Sequence, residues 1–191
     1  MNLKNCNFKN NIRCHSGGAE GADTYFEEIS TLYNIQTIAY SYQTAYHTSV
    51  NKYELSEKEY LEGVAHVNTA NKTLRKYRLN PYLKLYARCW FQVKNAEQIF
   101  AISTFIQIEN KQFVKGGTGV TVQMAIDNHK EVFVFEQELN QWFCWDYSDK
   151  KFSLLSEIPK ITTVNFAGIG SRSINEKGIK AIESLFRKTF E

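Results

Sequence analysis

Ser16-Gly17-Gly18-Ala19-Glu20-Gly21-Ala22-Asp23 follows a short apolar run and precedes a stretch with helical spacing. A strand, a glycine turn and a helix start, in that order, gather backbone N–H groups around a point that favours negative charge. Lys115-Gly116-Gly117-Thr118-Gly119 repeats the arrangement, and Gly168-Ile169-Gly170-Ser171-Arg172 supplies a third glycine-rich strand end. Turns of this kind at strand-to-helix junctions are where ligands bind in open α/β sheets.

The segments around these turns alternate. Asn11 to His15 reads as a strand, and Glu20 to Tyr33 as a helix with Ala22, Phe26, Ile29 and Tyr33 on one side. Ile35 to Tyr40 reads as a strand and Ser41 to Leu55 as a polar loop. Ser56 and Glu59 have capping-box spacing, which predicts a helix from there to about Tyr77. Asn80-Pro81 is a break, and helical spacing resumes from Tyr82 to Lys94. Gln98 to Ile102 is a strand, and Thr104 to Phe113 is either a loop or a hairpin excursion. Gly119 to Asn128 reads as a helix and Glu131 to Phe135 as a buried strand. Trp142-Phe143-Cys144-Trp145 alternates in polarity and pairs with Phe152 to Leu155 as a hairpin around Ser148-Asp149. Thr162 to Ala167 is a strand and Ile174 to Phe190 a final helix. The fold class is α/β: a Rossmann-like three-layer α/β/α sandwich with a mostly parallel sheet and a small β-hairpin excursion. The length fits one domain spanning residues 1–191.

Composition narrows the function. The formal charge of +3 is too small to argue for nucleic acid. The densest basic stretch runs from Lys72 to Arg88, through Arg75, Lys76, Arg78 and Lys84. The four cysteines form no C-x-x-C pair and have no zinc-ligand spacing with the histidines. The pattern implies no metal and no resident cofactor. No apolar leader follows Met1 and no run reaches transmembrane length, so the expected setting is cytoplasmic, with no membrane partner.

Within the turns, Gly17 and Gly18 allow a phosphate to approach the backbone, and Gly21 allows close helix packing. Ser16 and Thr118 are either phosphate donors or helix caps. Asp23 either binds a ribose hydroxyl or complements its helix dipole. Lys115 is an anion partner or an ordinary surface lysine. Arg172 suits phosphate, with a structural ion pair as the alternative. The aromatic cluster at Trp142–Tyr147 reads as hairpin core before it reads as a base-stacking surface.

These motifs resemble the SLOG superfamily, which includes the DNA-processing protein A Rossmann domain, the lonely-guy phosphoribohydrolases and YpsA-like proteins. Ser16 to Asp23 is close to the S-G-G-A-x-G-A-D form of phage and bacterial members. Val114 to Gly119 is similar to the P-G-G-x-G-T turn, with Lys115 in place of proline. Phe166 to Arg172 resembles the family's opening strand and G-x-G-S-R turn. That first unit stands last here, at residues 163–191, so the resemblance implies a circularly permuted strand order.

The resemblance implies a nucleotide-type or ADP-ribose-like ligand. Its expected contacts are Ser16, Gly17, Gly18, Gly21, Asp23, Gly116, Gly117, Thr118, Gly119, Gln123, Gly168, Gly170, Ser171 and Arg172. It also implies a sensor or sponge of a signalling nucleotide in phage–host conflict, acting in the host cytoplasm if phage-encoded, and self-association through helices. The lonely-guy members add an enzymatic alternative, nucleotide phosphoribohydrolase, with Arg88 in register with their arginine. Their paired glutamates are replaced by Val122 and Gln123, and Gln123 cannot take a proton as a carboxylate does. Binding therefore stands ahead of catalysis. Single-stranded DNA binding through Lys72–Arg88 is a third expectation.

Overall fold

The first glycine turn joins a strand to a helix, as its surroundings predict. The computed structural model describes residues 11–44, 47, 49–75 and 79–191. Its strands are β1 (Arg13–Ser16), β2 (Gln36–Ser41), β3 (Lys52–Glu54), β4 (Gln98–Ser103), β5 (Phe105–Ile108), β6 (Lys111–Val114), β7 (Glu131–Glu136), β8 (Gln141–Asp146), β9 (Lys151–Leu154) and β10 (Asn165–Gly170). Its α-helices are α1 (Ala22–Leu32), α2 (Glu57–Leu74), α3 (Leu83–Lys94), α4 (Gly116–Asp127) and α5 (Glu176–Phe190), and a 3₁₀ turn at Asn80–Tyr82 leads into α3.

Eight strands form one sheet in the order β3-β2-β1-β10-β4-β7-β8-β9. The pairings from β3 through β7 are parallel, and β8 and β9 add antiparallel to one edge. β10 enters the centre, with Phe166 aligned to Cys14 on one side and to Gln98 on the other. Counting β10 as the first strand, followed by β1, β2, β4 and β7, gives the order 3-2-1-4-5, the doubly wound arrangement. The strand order is thus that of a Rossmann-like sheet, permuted along the chain.

The central strands are buried on both faces, which is why they read as apolar runs. Their side chains alternate between two cores. Ile99, Ala101, Val132, Val134, Ala167 and Ile169 face the layer made by α2, α3 and α4. Phe100, Ile102, Phe133, Phe135 and Phe166 face the layer made by α1 and α5, where Phe26, Ile182 and Phe186 pack. Gly168 completes this face: a Cβ there would overlap the Phe26 ring.

Several local expectations shift. The loop from Ser41 to Leu55 contains β3, an exposed edge strand bonded to β2. The strand expected at Thr162–Ala167 begins at Asn165, and the Gln98 side chain holds Thr162 and Thr163 instead of a neighbouring strand. Thr104–Phe113 resolves as a hairpin, with Glu109 and Asn110 both at positive φ, the backbone of a tight two-residue turn. The capping box at Ser56 and Glu59 is present. Its helix stops at Leu74, where Arg75 turns left-handed. Lys76, Tyr77 and Arg78 lie outside the described residues, as does Cys6. α4 starts at Gly116, earlier than its apolar stripe suggests, and Asn175 caps α5 through Gly178 N–H. Among the described residues, no helix is long and apolar enough to cross a membrane.

Candidate functional site

A cleft of about 450 Å³ opens at the carboxyl ends of β1, β10 and β4. The chain leaves β10 toward the α5 layer and leaves β4 toward the α4 layer, so the cleft sits at the topological switch point of the sheet. One wall is the start of α4, another is α3, and the third is the β10 end with the turn before α1.

Arg88 extends from α3 into this region and is only 3% exposed. Its Nη2 is 3.8 Å from Asp23 Oδ2, beyond hydrogen-bond contact. Its Nη1 has no partner among the described residues. Burying a cation with so little pairing is costly, and Nη1 packs against Gly17. One turn further along α3, Gln92 also lines the cleft, is 1% exposed, and holds an Nε2 with no partner among the described residues.

Asp23 lies in the first turn of α1, turned inward. Its Oδ1 accepts from Gly170 N–H at 3.1 Å. Burial pushes its pKa from the usual 3.8 up to about 6, against the opposing pull of Arg88 and the Gly170 N–H; the Glu27 carboxylate adds to the rise. The carboxyl thus ties α1 to β10 and sits beside the cleft guanidinium. Its first-turn position is the one that complements the helix dipole, and the carboxyl also lines the cleft.

Of the first glycine turn, Ala19 and Asp23 line that space, whereas Ser16, Gly17, Gly18 and Gly21 do not. Ser16 is fully buried, donating to Glu27 Oε1 at 2.8 Å and accepting from Gly18 N–H at 3.2 Å. A Cβ at Gly17 would overlap Arg88 Nη1, and one at Gly18 would overlap the His47 ring. His47 Nε2 is 3.0 Å from Gly17 O. Gly21 has φ 105° and packs against the Arg172 backbone. Ala22 N–H donates to Ser171 O and Thr24 N–H to Ala19 O, so the start of α1 is engaged by protein. The glycines that read as phosphate approach therefore make room for Arg88 and His47. Ser16, Gly17, Gly18 and Gly21, expected as ligand contacts, lie outside the cleft lining.

The second turn does face the cleft. Gly116, Gly117 and Thr118 form the first turn of α4 at its wall, and no side chain among the described residues caps the helix at Lys115. Gly119 instead packs on the Val114 carbonyl, which a Cβ would overlap. Gln123 points away, donates to Asp127 at 2.8 Å and lines a separate groove beside the β5–β6 hairpin. Gly119, Gln123 and the buried Gly168 are thus outside the cleft.

The third turn contributes Gly170, Ser171 and the exposed Arg172. The structure adds residues that no motif marked. Tyr82 and Tyr86 form an aromatic wall with rings 6.0 Å apart, and Gln92, Ser103, Thr121 and Gln137 supply polar groups. Helical spacing from Tyr82 through Tyr86 to Gln92 was the one available signal for the α3 wall. Of the basic stretch from Lys72, Arg88 points inward, so it does not extend a surface patch. Trp142 is buried in the hairpin core. His66 stacks on Trp90 with ring centroids 3.4 Å apart, which removes it from the free surface. Among the described residues, no group of His, Cys, Asp or Glu could hold a metal ion. Comparison with family models, curated proteins and solved structures finds no match for this chain.

Proposed function

We propose that this chain binds a nucleotide or nucleotide-derived, phosphate-bearing small molecule in the switch-point cleft. The observation that carries the reading is Arg88, a buried guanidinium that lines the cleft together with the first turn of α4. A helix N-terminus and a guanidinium converging on one cavity favour phosphate oxygens. The cavity volume of about 450 Å³ falls within the ~300–1,000 Å³ range of small-molecule sites. The likeness of the three turns to the SLOG superfamily points the same way. By that likeness, the ligand class extends to ADP-ribose-like signals, and the role to a sensor or sponge of a signalling nucleotide in conflict between phage and host. Native mass spectrometry of protein purified without denaturation tests the reading. A retained phosphate-bearing small molecule, absent from Arg88→Ala, is expected. Equal retention by a folded Arg88→Ala protein would refute it.

Asp23 favours a second reading, hydrolysis of an N-glycosidic bond. A buried carboxyl with a pKa near 6 beside the cleft is suited to hand a proton to a leaving base. Incubation with nucleoside monophosphates should then release free base, and Asp23→Asn should stop the release. No base released above a protein-free control would exclude this reading and leave binding alone.

A further inference from the structure

β8 and β9 carry the sheet beyond its last parallel strand, and the β5–β6 hairpin folds over them. The Phe105 ring centroid lies 5.2 Å from that of Phe143 and 5.0 Å from that of Phe152. Between the hairpin, α4 and the end of α2 a groove of about 1320 Å³ remains. That volume exceeds the ~300–1,000 Å³ of small-molecule sites. Phe113, Val122, Ile126, Trp145 and Phe152 give the groove an apolar lining. Ile108 and Tyr147 line it as well, at 47% and 38% exposure. Apolar surface of this extent, rimmed by polar groups, marks a site of protein interaction.

The rim is basic. Lys72 and Arg75 come from the end of α2, Lys111 from β6 and Lys150 from the β8–β9 turn, and all four are exposed. Among the described residues, none of the four forms an ion pair. The groove also contains Lys151 and the acidic residues Glu109, Asp127 and Asp149. Asp149 pairs with Lys151 at 2.8 Å, and Asp127 accepts from Gln123 at 2.8 Å. Glu109 at the hairpin tip is thus set against four cations that come from three separate elements.

We propose that this groove docks an acidic segment of a partner protein, one with apolar side chains along one side and carboxylates along the other. The apolar side chains fill the lining, and the carboxylates meet Lys72, Arg75, Lys111 and Lys150. In such recognition apolar anchors set the position, and opposed charge sets encounter rate and specificity. Single-stranded nucleic acid matches the charge of the rim but not the lining. Bases stack on open aromatic faces. Here Trp145 packs edge to face on Phe152 at 5.0 Å and on Tyr147 at 6.4 Å, and Val122 and Ile126 are aliphatic. The groove and the switch-point cleft share no lining residue, so the inference does not rest on the binding reading above.

Selection of a displayed random dodecapeptide library on the full chain tests the surface, followed by fluorescence anisotropy of the enriched peptides. Enriched sequences should combine Asp or Glu with Leu, Ile, Phe or Trp, and their affinity should fall as salt is raised. The combined variant Lys72→Glu, Lys111→Glu and Lys150→Glu should weaken them roughly tenfold or more at low salt. Its melting curve should stay close to that of the wild type, because the three side chains are exposed. A folded Ile126→Ala protein should bind them more weakly at low and high salt alike, and a folded Arg88→Gln protein should bind them as the wild type does. Enrichment of no acidic sequence, or equal binding by the combined variant, overturns the proposal. An oligothymidine that binds the wild type more tightly than any enriched peptide, and fails to bind the combined variant, assigns the groove to nucleic acid and overturns it as well.

Discussion

Arg88 Nη2 faces Asp23 Oδ2 across 3.8 Å, with side chains 4% and 8% exposed. This is a buried ion pair stretched past hydrogen-bond contact. The carboxyl is held back on its other side by Gly170 N–H, and a Cβ-free Gly17 gives the guanidinium its room. The pair links α3, α1 and β10 at the cleft, so its energetics connect stability, pH and ligand binding.

Replacing Arg88 by Met removes the charge while keeping much of the bulk. The Asp23 carboxyl then has no cation, and breaking a buried pair costs about 3–5 kcal/mol when the remaining charge stays ionised. Protonating Asp23 relieves that cost. The loss in thermal midpoint should therefore be larger at pH 8 than at pH 5. Equal losses at both pH values would show that the two groups are not coupled.

The folded pKa of Asp23, about 6, lies above its usual 3.8. The folded state then holds more protons than the unfolded state between those values. The stabilising contribution is fully present below pH 3.8 and is lost as pH rises through about 6. The size of the loss is on the order of 2–3 kcal/mol. Asp23→Asn, which keeps an acceptor for Gly170 N–H, should flatten this dependence, while leaving the buried Arg88 cation without its carboxylate should lower the urea midpoint at pH 8. Urea titrations across pH 4 to 8 compare the two proteins.

The same substitution bears on the ligand. An ionised Asp23 repels phosphate, so Asp23→Asn should bind a nucleoside monophosphate more tightly than the wild type at pH 8, with the two converging toward pH 5. Taking the ratio of the affinities at each pH cancels the second ionisation of the phosphate itself, near 6. A ratio that does not change with pH would separate Asp23 from the binding site.

The glycines should sort by what their hydrogens make room for. Gly119→Ala drives a methyl into the Val114 carbonyl and should destabilise by about 1–3 kcal/mol. Gly18→Asp should displace His47 and lower stability without any direct contact with the cleft. At Gly117 an added Cβ would be 3.0 Å from Tyr86 Cε1, so Gly117→Asp should chiefly abolish phosphate binding, by putting a negative charge at the start of α4. Paired melting curves and titrations distinguish these outcomes.

Ser56→Ala removes the capping box of α2, far from the cleft wall. It should cost about 0.5–2 kcal/mol of stability and leave ligand affinity unchanged. A change in affinity in this variant would mean that α2 contributes to the site through α3.

The alternating elements were legible because their signals are local. β4, β7 and β10 read as strands from apolar runs bounded by turns, and Ser56 with Glu59 marked a helix start within four residues of sequence. β3 carried no such signal, since Lys52, Tyr53 and Glu54 are all exposed and pair only with the edge at β2. The candidate site was legible in part. Thr118, Gly170 and Arg172 were marked by their turns and lie at the cleft, as does Arg88. Gln92 was not, because a glutamine in a helix looks the same in sequence whether it meets water or the cavity floor.

The sequence by itself determined an α/β chain with a mostly parallel sheet and with a strand-and-helix unit at its C-terminal end. Those features follow from period, turn chemistry and order, which neighbouring residues specify. Only the tertiary structure decided which glycine turn opens on the ligand space. The Ser16–Gly18 turn and the Gly116–Thr118 turn carry similar local chemistry, but Arg88 and His47 fold against the first and leave the second facing the cleft. The difference arises because exposure of a backbone N–H depends on side chains brought from α3 and from the segment after β2, and local sequence does not encode which of them will arrive.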